Sequence, residues 1–375
     1  MVKPVLGDIL KSTAQTLVNT VNCVGIMGKG IALEFKNHFP DMYEDYVRRC
    51  KAGEVKLGRP YLFRRPTSPW ILNFPTKEHW RSVSRLEDIT RGLECLEQHY
   101  KEWGITSLAV PPLGCGQGQL EWRVVGPTLY RHLKRLDIPV EIHAPYGTPH
   151  EQLRLDFFEK ATEDITTGSA SGTLPRVEPS WVALVDILAR IEQEPYHWAV
   201  GRIMFQKIAY FATEAGIPTK LQYRQGSFGP YASEVKGLIT RLVNNGLFRE
   251  ERLGQMFAVK VGSTFQDARA VYEHELRKWS SIIEKVADLF VRMRTEQAEV
   301  AATVYFTARL LNKKTGHKPS ESEVLAEVMK WKQKRRPPLR EADVALAIRG
   351  LSMLGWLDVK ASADLPISEE ALLDA

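Results

Sequence analysis

The chain has 375 residues, of which 44% are hydrophobic and 26% charged, and its formal net charge at pH 7 is +6. This length favours two domains, and no apolar run reaches the roughly 20 residues of a membrane-spanning helix or forms the apolar core of a signal peptide. The four cysteines lack CxxC spacing, which argues against a zinc site and a disulfide framework and for a reducing cytoplasm. No metal and no cofactor are expected.

Residues 1–157 alternate short apolar strands with amphipathic helices, which predicts an α/β domain with helices on both faces of a mixed sheet. The predicted strands are Leu17–Val21, Trp70–Phe74, Ser107–Val110 and Val140–Ala144. The predicted helices include Ile31–His38, Leu86–Tyr100 and Val124–Arg135. Residues 1–155 also hold 21 Lys and Arg against 16 Asp and Glu, a basic balance that suits a polyanionic substrate.

Two glycine-rich loops, in Thr16–Leu33 and Leu108–Trp122, each follow a predicted strand. Glycine lets consecutive backbone N–H groups converge on an anion, and the helix that follows each loop adds its dipole. Two such loops imply a two-part anionic ligand, most simply a diphosphate. GIMGKGIA lacks the frame of a P-loop and GCGQGQL lacks the frame of a dinucleotide-binding fold, so both of those classes are disfavoured.

The second half of the chain differs in composition. Residues 158–180, including the polar stretch Glu163–Ser180, predict a linker. Residues 181–375 predict a mostly helical domain with winged-helix-like units, because Leu238–Glu250 and Ile348–Val359 each combine a helix, a glycine and a short apolar strand. After the first of these, the alternating segment Met256–Val261 is expected to complete a hairpin.

Charge runs mark the end of the second half. Lys330–Arg340 is basic and open to two interpretations, a nucleic-acid contact or a solvated face. An acidic stripe of Glu321, Glu323 and Glu327 precedes it and is a candidate for mimicry of DNA.

The glycine loops, together with Gly7-Asp8-Ile9-Leu10, resemble the macrodomain family of ADP-ribose-binding α/β/α modules. More narrowly, VNTVNCVGIMGKGIALEFK, NFPTKEHW and PPLGCGQGQLEW resemble the macrodomains of the DarG family of antitoxins. That resemblance implies hydrolysis of the bond between ADP-ribose and thymidine in single-stranded DNA, with release of ADP-ribose. It also implies that residues 181–375 bind and neutralise a DarT-like ADP-ribosyltransferase toxin, and no membrane partner is expected.

In that family, the residue that matches Asp8 accepts the adenine amine and the N–H of Ile9 reaches the ring, although an isolated Asp here could simply cap a helix. Asn22 lies at the family's ribose position, and Tyr146 is a candidate for stacking on adenine. Asn19 is expected to hold the first loop. The whole set implied for ADP-ribose is Asp8, Ile9, Asn22, Met27, Gly28, Lys29, Gly30, Ile31, Ala32, Leu113, Gly114, Cys115, Gly116, Gln117, Gly118 and Tyr146.

Lys77 is the predicted catalytic residue. It follows a strand and resembles the lysine with which macrodomains related to terminal ADP-ribose glycohydrolase attack or polarise C1″ of the distal ribose. A neutral amine could attack and a charged amine could stabilise the departing base, and the sequence leaves both open. His79 is a second catalytic candidate for proton transfer, or else a loop histidine that orients Trp80.

Gly118 departs from those relatives, which carry an aspartate in the second loop as general acid or base. A two-residue Lys/Asp mechanism therefore does not transfer to this sequence. Cys115 in the same loop is either a nucleophile or, more simply, a small residue beside phosphate. Three functions stay open: a DNA ADP-ribosyl glycohydrolase, a non-catalytic ADP-ribose-binding module, and an O-acetyl-ADP-ribose deacetylase.

Overall fold

A computed structural model describes residues 1–159, 177–254 and 256–366. The chain divides into two compact units. Unit 1 comprises Met1–Val177 and Lys236–Asn245, and unit 2 comprises Glu178–Val235 and Gly246–Ala375. No helix in the described part of the chain is long and apolar enough to cross a membrane.

Unit 1 is built on a six-stranded sheet with the strand order β1-β6-β5-β2-β4-β3. Every neighbouring pair is parallel except β3 with β4, so the predicted mixed sheet is confirmed. The strands are β1 (Val2–Val5), β2 (Thr16–Asn22), β3 (Tyr61–Phe63), β4 (Trp70–Lys77), β5 (Leu108–Val110) and β6 (Val140–His143).

Helices cover both faces of this sheet. They are α1 (Gly30–His38), α2 (Pro40–Lys51), α3 (Leu86–His99) and α4 (Trp122–Leu133). Side chains alternate between the two faces of a strand, and β2 shows the consequence. Leu17 and Val21 pack in one buried cluster with Phe35 of α1, whereas Val18 lies in the opposite cluster with Leu93 of α3.

The predicted elements of unit 1 are all present, with ends that differ by a few residues. The sequence missed β1, β3 and α2. β1 and β3 have only four and three residues and do not alternate cleanly between buried and exposed positions. α2 begins at Pro40 directly after α1, and Pro at a first helical position is compatible with helix start.

The second half of the chain is mostly helical, as predicted. Its helices are α5 (Pro179–Gln193), α6 (Arg202–Glu214), α7 (Glu234–Asn244), α8 (Phe265–Val271), α9 (Glu273–Lys278), α10 (Ser280–Phe290), α11 (Thr295–Thr315), α12 (Glu321–Lys332) and α13 (Glu341–Met353). Two antiparallel hairpins accompany them, β7 (Arg224–Gly226) with β8 (Gly229–Tyr231) and β9 (Phe248–Leu253) with β10 (Met256–Val261).

The two predicted helix–glycine–strand echoes have different outcomes. After the first, Gly246 adopts a left-handed φ of 71° and the expected hairpin of β9 and β10 follows. After the second, Gly355 has a φ of 65°, but the described residues beyond it contain only an isolated bridge at Lys360. The second echo is therefore wrong as a strand prediction, and a winged-helix unit is not confirmed.

The predicted domain boundaries, 1–157 and 181–375 with a linker at 158–180, describe independent folding and stay a prediction. Residues 160–176 of that linker lie outside the described residues.

Each charge run near the chain's end contains residues that are buried or bonded within unit 2. Glu321 is buried and accepts a hydrogen bond from Ser362 N at 3.0 Å, while Glu323 caps α12 through Ser320. Lys332, near the start of the basic run, is buried, and its Nζ lies 2.8 Å from Oε1 of Glu299. Neither run is therefore a continuous solvated face.

Lys332 belongs to a buried cluster of positive charge. Its Nζ also donates to the carbonyl oxygen of Ser227 at 2.8 Å, and Lys207, which is 2% exposed, donates to that of Pro230 at 2.8 Å. Both lysines thus hold the hairpin of β7 and β8, with Glu299 as the carboxylate among them. Burial, assisted by the charge of Lys332, lowers the pKa of Lys207 from 10.5 to about 8.

We expect this lowered pKa to make stability depend on alkaline pH. Between pH 8 and 10.5 the unfolded chain keeps a proton on Lys207 that the folded unit has lost, so the free energy of unfolding rises with pH in this window. The contribution reaches about 1.4 kcal/mol per pH unit. Denaturant unfolding of the wild type and of Lys207→Met from pH 7 to 10.5 should show this difference in slope. Lys330→Met, which removes an exposed ammonium, is the control, and parallel curves for Lys207→Met would contradict the expectation.

Candidate functional site

The carboxyl ends of five parallel strands meet at one edge of the unit 1 sheet, which is where ligands gather in such folds. The predicted site residues all follow these ends. Asp8 and Ile9 follow β1, Tyr146 follows β6 and the second glycine loop follows β5. Asn22 and Lys77 end β2 and β4, and they are paired in the strand register.

The first glycine loop is held by Asn22 and is open at its tip. The Asn22 side chain accepts from Val24 N at 3.0 Å and donates to the carbonyl of Ile26, while Tyr46 Oη donates to its oxygen at 3.0 Å. The side chain is therefore engaged by its own loop in this structure, and its contact with a ribose stays a prediction.

Asn19 lies beneath the same loop. It is fully buried and its amide donates to Asn73 Oδ1 at 2.9 Å. Its Nδ2 also lies 4.0 Å from the sulfur of Met27, which is the buried residue of the loop tip. This arrangement fits the expected loop-holding role.

Beyond Met27, the loop leads directly into α1. Gly28, Lys29 and Gly30 are exposed, and Gly30 has a left-handed φ of 59°. Lys29 precedes α1 without a side-chain cap, so no side chain covers the first amides of that helix. Ile31 and Ala32 are partly buried and anchor the helix on the core.

The second glycine loop is a compact turn. Leu113 is buried at its start, and Leu120 N donates back to the carbonyl of Gly114 at 3.1 Å. Gly116 and Gln117 are exposed at the tip, and a Cβ added at Gly116 would meet nothing within 4 Å. The tip therefore offers accessible backbone.

Gly118 lies on the inner side of this turn, where no side chain fits. A Cβ at this position would overlap the carbonyl oxygen of Gly114 and the hydroxyl of Ser84, both of which sit close below it. The aspartate that related macrodomains carry here is sterically incompatible with this backbone. Any proton transfer must come from another group.

Lys77 connects the two loops. Its Nζ donates to the carbonyl oxygen of Gln117 at 2.7 Å, and its own carbonyl accepts from Cys23 N at 3.1 Å. The amine is thereby placed at the tip of the second loop while its backbone is tied to the first. Of the predicted residues, Lys77 thus bonds to Gln117 and is paired with Asn22 in the strand register.

His79 is engaged by its own loop. Its Nδ1 accepts from Arg81 N at 3.2 Å, and its ring stacks on Trp80 with a centroid distance of 5.4 Å. These contacts are those of a histidine that orients Trp80. A role for His79 in proton transfer stays a prediction.

The adenine end of the predicted site is formed by β1 and β6. Asp8 Oδ1 accepts from Leu10 N at 3.0 Å and caps the 3₁₀ turn Ile9–Lys11, so the simple capping alternative is realised in this structure. Ile9 is buried, and the Tyr146 ring projects fully into solvent after β6. Contact of these residues with adenine stays a prediction.

Cys115 is a poor candidate for a nucleophile. Burial raises the pKa of its thiol to about 12, so the thiol is protonated near neutral pH. The simpler alternative, a small residue beside phosphate, stays a prediction.

Sequence reasoning missed one residue that supports the site, Asn244 of α7. Its amide accepts from Leu86 N at 2.8 Å and donates to the carbonyl of Ser84 at 3.1 Å. Asn244 thus fixes the segment on which Gly118 packs. These contacts join residues about 160 positions apart, which no local pattern in the sequence reveals.

Comparison with known proteins identifies the N-terminal part of the chain. A Macro domain family model matches residues 18–129. A "DNA ADP-ribosyl glycohydrolase" of Thermus aquaticus is 38% identical over 248 residues, which are 64% of each chain. A "DNA ADP-ribosyl transferase-DNA ADP-ribosyl glycohydrolase fusion protein" of Thermosipho africanus is 44% identical over 157 residues, which are 37% of this chain and 40% of the relative.

The solved structure of the "Macrodomain of Thermus aquaticus DarG" is 44% identical and covers 39% of this chain and 99% of its own, with a TM-score of 0.37. The chain spans less than two thirds of the length of the full-length relatives, 64% of the first and 40% of the second. The matched macrodomain, in contrast, is covered almost completely. Residues 18–129 thus match the macro domain family.

Proposed function

We propose that the chain is a DNA ADP-ribosyl glycohydrolase that hydrolyses the N-glycosidic bond between ADP-ribose and thymidine in single-stranded DNA and releases ADP-ribose. The observation that carries this proposal is the position of Lys77, whose amine lies 2.7 Å from the Gln117 carbonyl between two glycine loops. The Thermus aquaticus relative, which is named a DNA ADP-ribosyl glycohydrolase, supports this class of reaction.

The two loops supply the binding part of this function. A Cβ added at Gly116 would meet nothing within 4 Å, and one at Gly28 would meet only Cγ2 of Ile26 at 3.9 Å, so a diphosphate can approach the backbone closely at both. The uncapped first turn of α1 adds N–H groups and the positive end of its dipole. Both features favour an anionic ligand without requiring a positively charged side chain.

Lys77 supplies the reactive part. Net hydrolysis breaks the bond between C1″ and the base nitrogen, joins a hydroxyl from water to C1″ and leaves the water's proton on the base. An ammonium at the strand end stabilises the negative charge that develops on the departing base, and a neutral amine would instead attack C1″. In both versions the Gln117 carbonyl orients the nitrogen.

A non-catalytic ADP-ribose-binding module is the second candidate, and the steric exclusion of an aspartate at Gly118 favours it. O-acetyl-ADP-ribose deacetylation is the third. Incubation with an ADP-ribosylated oligonucleotide separates the proposed enzyme from both alternatives, because only the proposed enzyme releases ADP-ribose from the DNA.

We further propose that residues 181–375 bind a DarT-like ADP-ribosyltransferase and that the protein acts as its antitoxin in the cytoplasm. The Thermosipho africanus relative is named as a fusion of a transferase with a glycohydrolase, which supports a functional link between the two activities. The four cysteines are free thiols, as expected in a reducing compartment.

Replacement of Lys77 tests the catalytic proposal. We expect Lys77→Ala to lower turnover of an ADP-ribosylated oligonucleotide to below about a tenth, a barrier increase above about 1.4 kcal/mol, with little change in ADP-ribose affinity. Lys77→Arg keeps the charge but removes the nucleophilic amine, so retained activity would favour charge stabilisation. Lys101→Ala, which breaks an exposed pair with Asp137, is the control. Turnover above a tenth in Lys77→Ala would remove this residue from its central role.

Introduction of a negative charge at the loop tips tests the diphosphate site. Gly28→Glu and Gly116→Glu place a carboxylate in open space, so both variants should fold normally but lose at least about tenfold in ADP-ribose affinity. Gly350→Glu adds the same side chain at an open position of α13 and should bind normally. Calorimetry measures all three, and unchanged affinity in the two loop variants would exclude the assignment.

The proposed antitoxin role predicts protection without catalysis. A full-length Lys77→Ala protein should still protect cells from a co-expressed DarT-like toxin and should co-purify with it, because residues 181–375 are intact. Loss of both protection and co-purification in this variant would show that the second half does not inhibit the toxin.

A further inference from the structure

The segment that leaves β4 carries an exposed aromatic side chain beside two groups that stack on it. Trp80 is 45% exposed. The ring of His79 is stacked on its indole at an interplanar angle of 29°, and Cζ of Arg81 lies over the indole at 4.5 Å from the centroid. The proposed hydrolysis uses neither Trp80 nor Arg81.

The backbone of this segment is fixed rather than loosely extended. Ser82 N donates to the carbonyl of His79 at 2.9 Å, which closes a turn around Trp80 and Arg81. Arg81 N donates to His79 Nδ1 at 3.2 Å, so His79 contacts both of the residues that follow it, Trp80 and Arg81. Trp80 is therefore an aromatic side chain held in a defined position at the surface.

The short stretch of chain between Lys77 and Trp80 limits which part of a substrate can contact Trp80. Trp80 and Arg81 are exposed and follow Lys77 by three and four residues. Three residues span at most about 11 Å. A nucleotide whose base is joined to the ribose at Lys77 therefore has its flanking nucleotides within reach of Trp80.

We infer that Trp80 and Arg81 form a binding platform for a base that flanks the modified nucleotide on the same single strand of DNA. An indole stacks on any base, and a guanidinium beside it contributes a cation–π contact and attraction to phosphate. The platform needs no sequence-specific hydrogen bonds, so it holds the strand and leaves recognition of the modified nucleotide to the ADP-ribose pocket. His79 is its positioning residue.

This inference rests on the proposed function, and its test uses two substrates that differ only in flanking nucleotides. One is an ADP-ribosylated oligonucleotide and the other is the ADP-ribosylated mononucleotide. We expect Trp80→Ala to raise KM for the oligonucleotide by between about 5-fold and 150-fold, the range for one base–aromatic stack, with kcat nearly unchanged. KM for the mononucleotide should stay within twofold, and Trp80→Phe should restore part of the loss.

A matched control exists at the opposite edge of the sheet. Trp103 stacks on His99 at 5.5 Å and 22°, much as Trp80 does on His79, but it precedes β5 and so lies at the amino ends of the strands. Trp103→Phe should leave KM for both substrates unchanged. Arg81→Gln provides a second measure, because it should weaken binding of an unmodified single-stranded oligonucleotide and flatten its salt dependence.

The possible outcomes distinguish failure of the Trp80 platform from failure of the proposed glycohydrolase activity. Equal loss on both substrates, or no loss on either, in Trp80→Ala would overturn the platform while leaving the glycohydrolase in place. If Trp80→Ala fails to fold, judged by its ADP-ribose affinity, then full activity of Arg81→Gln on the oligonucleotide together with wild-type DNA binding overturns the platform. Failure of the wild-type protein to release ADP-ribose from either substrate would instead overturn the proposed function.

Discussion

The arrangement of the site depends on the parallel pairing of β2 with both of its neighbours. Because β4 and β5 run in the same direction as β2, the ends that carry the two glycine loops and Lys77 meet at one edge. The register pairs Asn22 with Lys77, and a shift between Val21 and Asn22 lets the two strands end together. Reversal of β4, which has eight residues, would place the lysine about 26 Å away at the far end of that strand, and reversal of the three-residue β5 would move its loop by about 10 Å.

A second constraint acts within the loop that follows β5. Gly114 has a φ of 74° and Gly118 has no space for a Cβ, so this turn closes only with glycine at both positions. The tight closure brings the Gln117 carbonyl outward to meet the amine of Lys77. The same geometry that removes room for a carboxylate therefore orients the lysine, and the chemistry of the site is concentrated on one nitrogen.

Sequence reasoning located most of unit 1 because its strands and helices are long enough to show their periodicity, as in α3 with its buried Ile89, Leu93 and Leu96. It failed for β3, whose three residues are held by pairing with β4 rather than by their own pattern. It predicted that the two glycine loops and Lys77 follow strand ends, as the structure shows, and it raised a capping role for Asp8, but it did not foresee that Asn22 bonds to its own loop. Those hydrogen bonds depend on turn geometry, which residue type alone does not fix.

The basic run near the end of the chain shows why charge patterns are weak evidence about surfaces. Lys332 and Arg335 both turn toward Glu299, on a helix more than thirty residues earlier, and Lys332 also reaches a hairpin carbonyl. Two like charges of this run therefore converge on one buried carboxylate. The aromatic and cationic residues after Lys77 present the opposite case, because local hydrogen bonds hold Trp80 and Arg81 at the surface. What distinguishes an interaction surface from a structural ion pair is therefore the side chain's environment, which a count of charges does not contain.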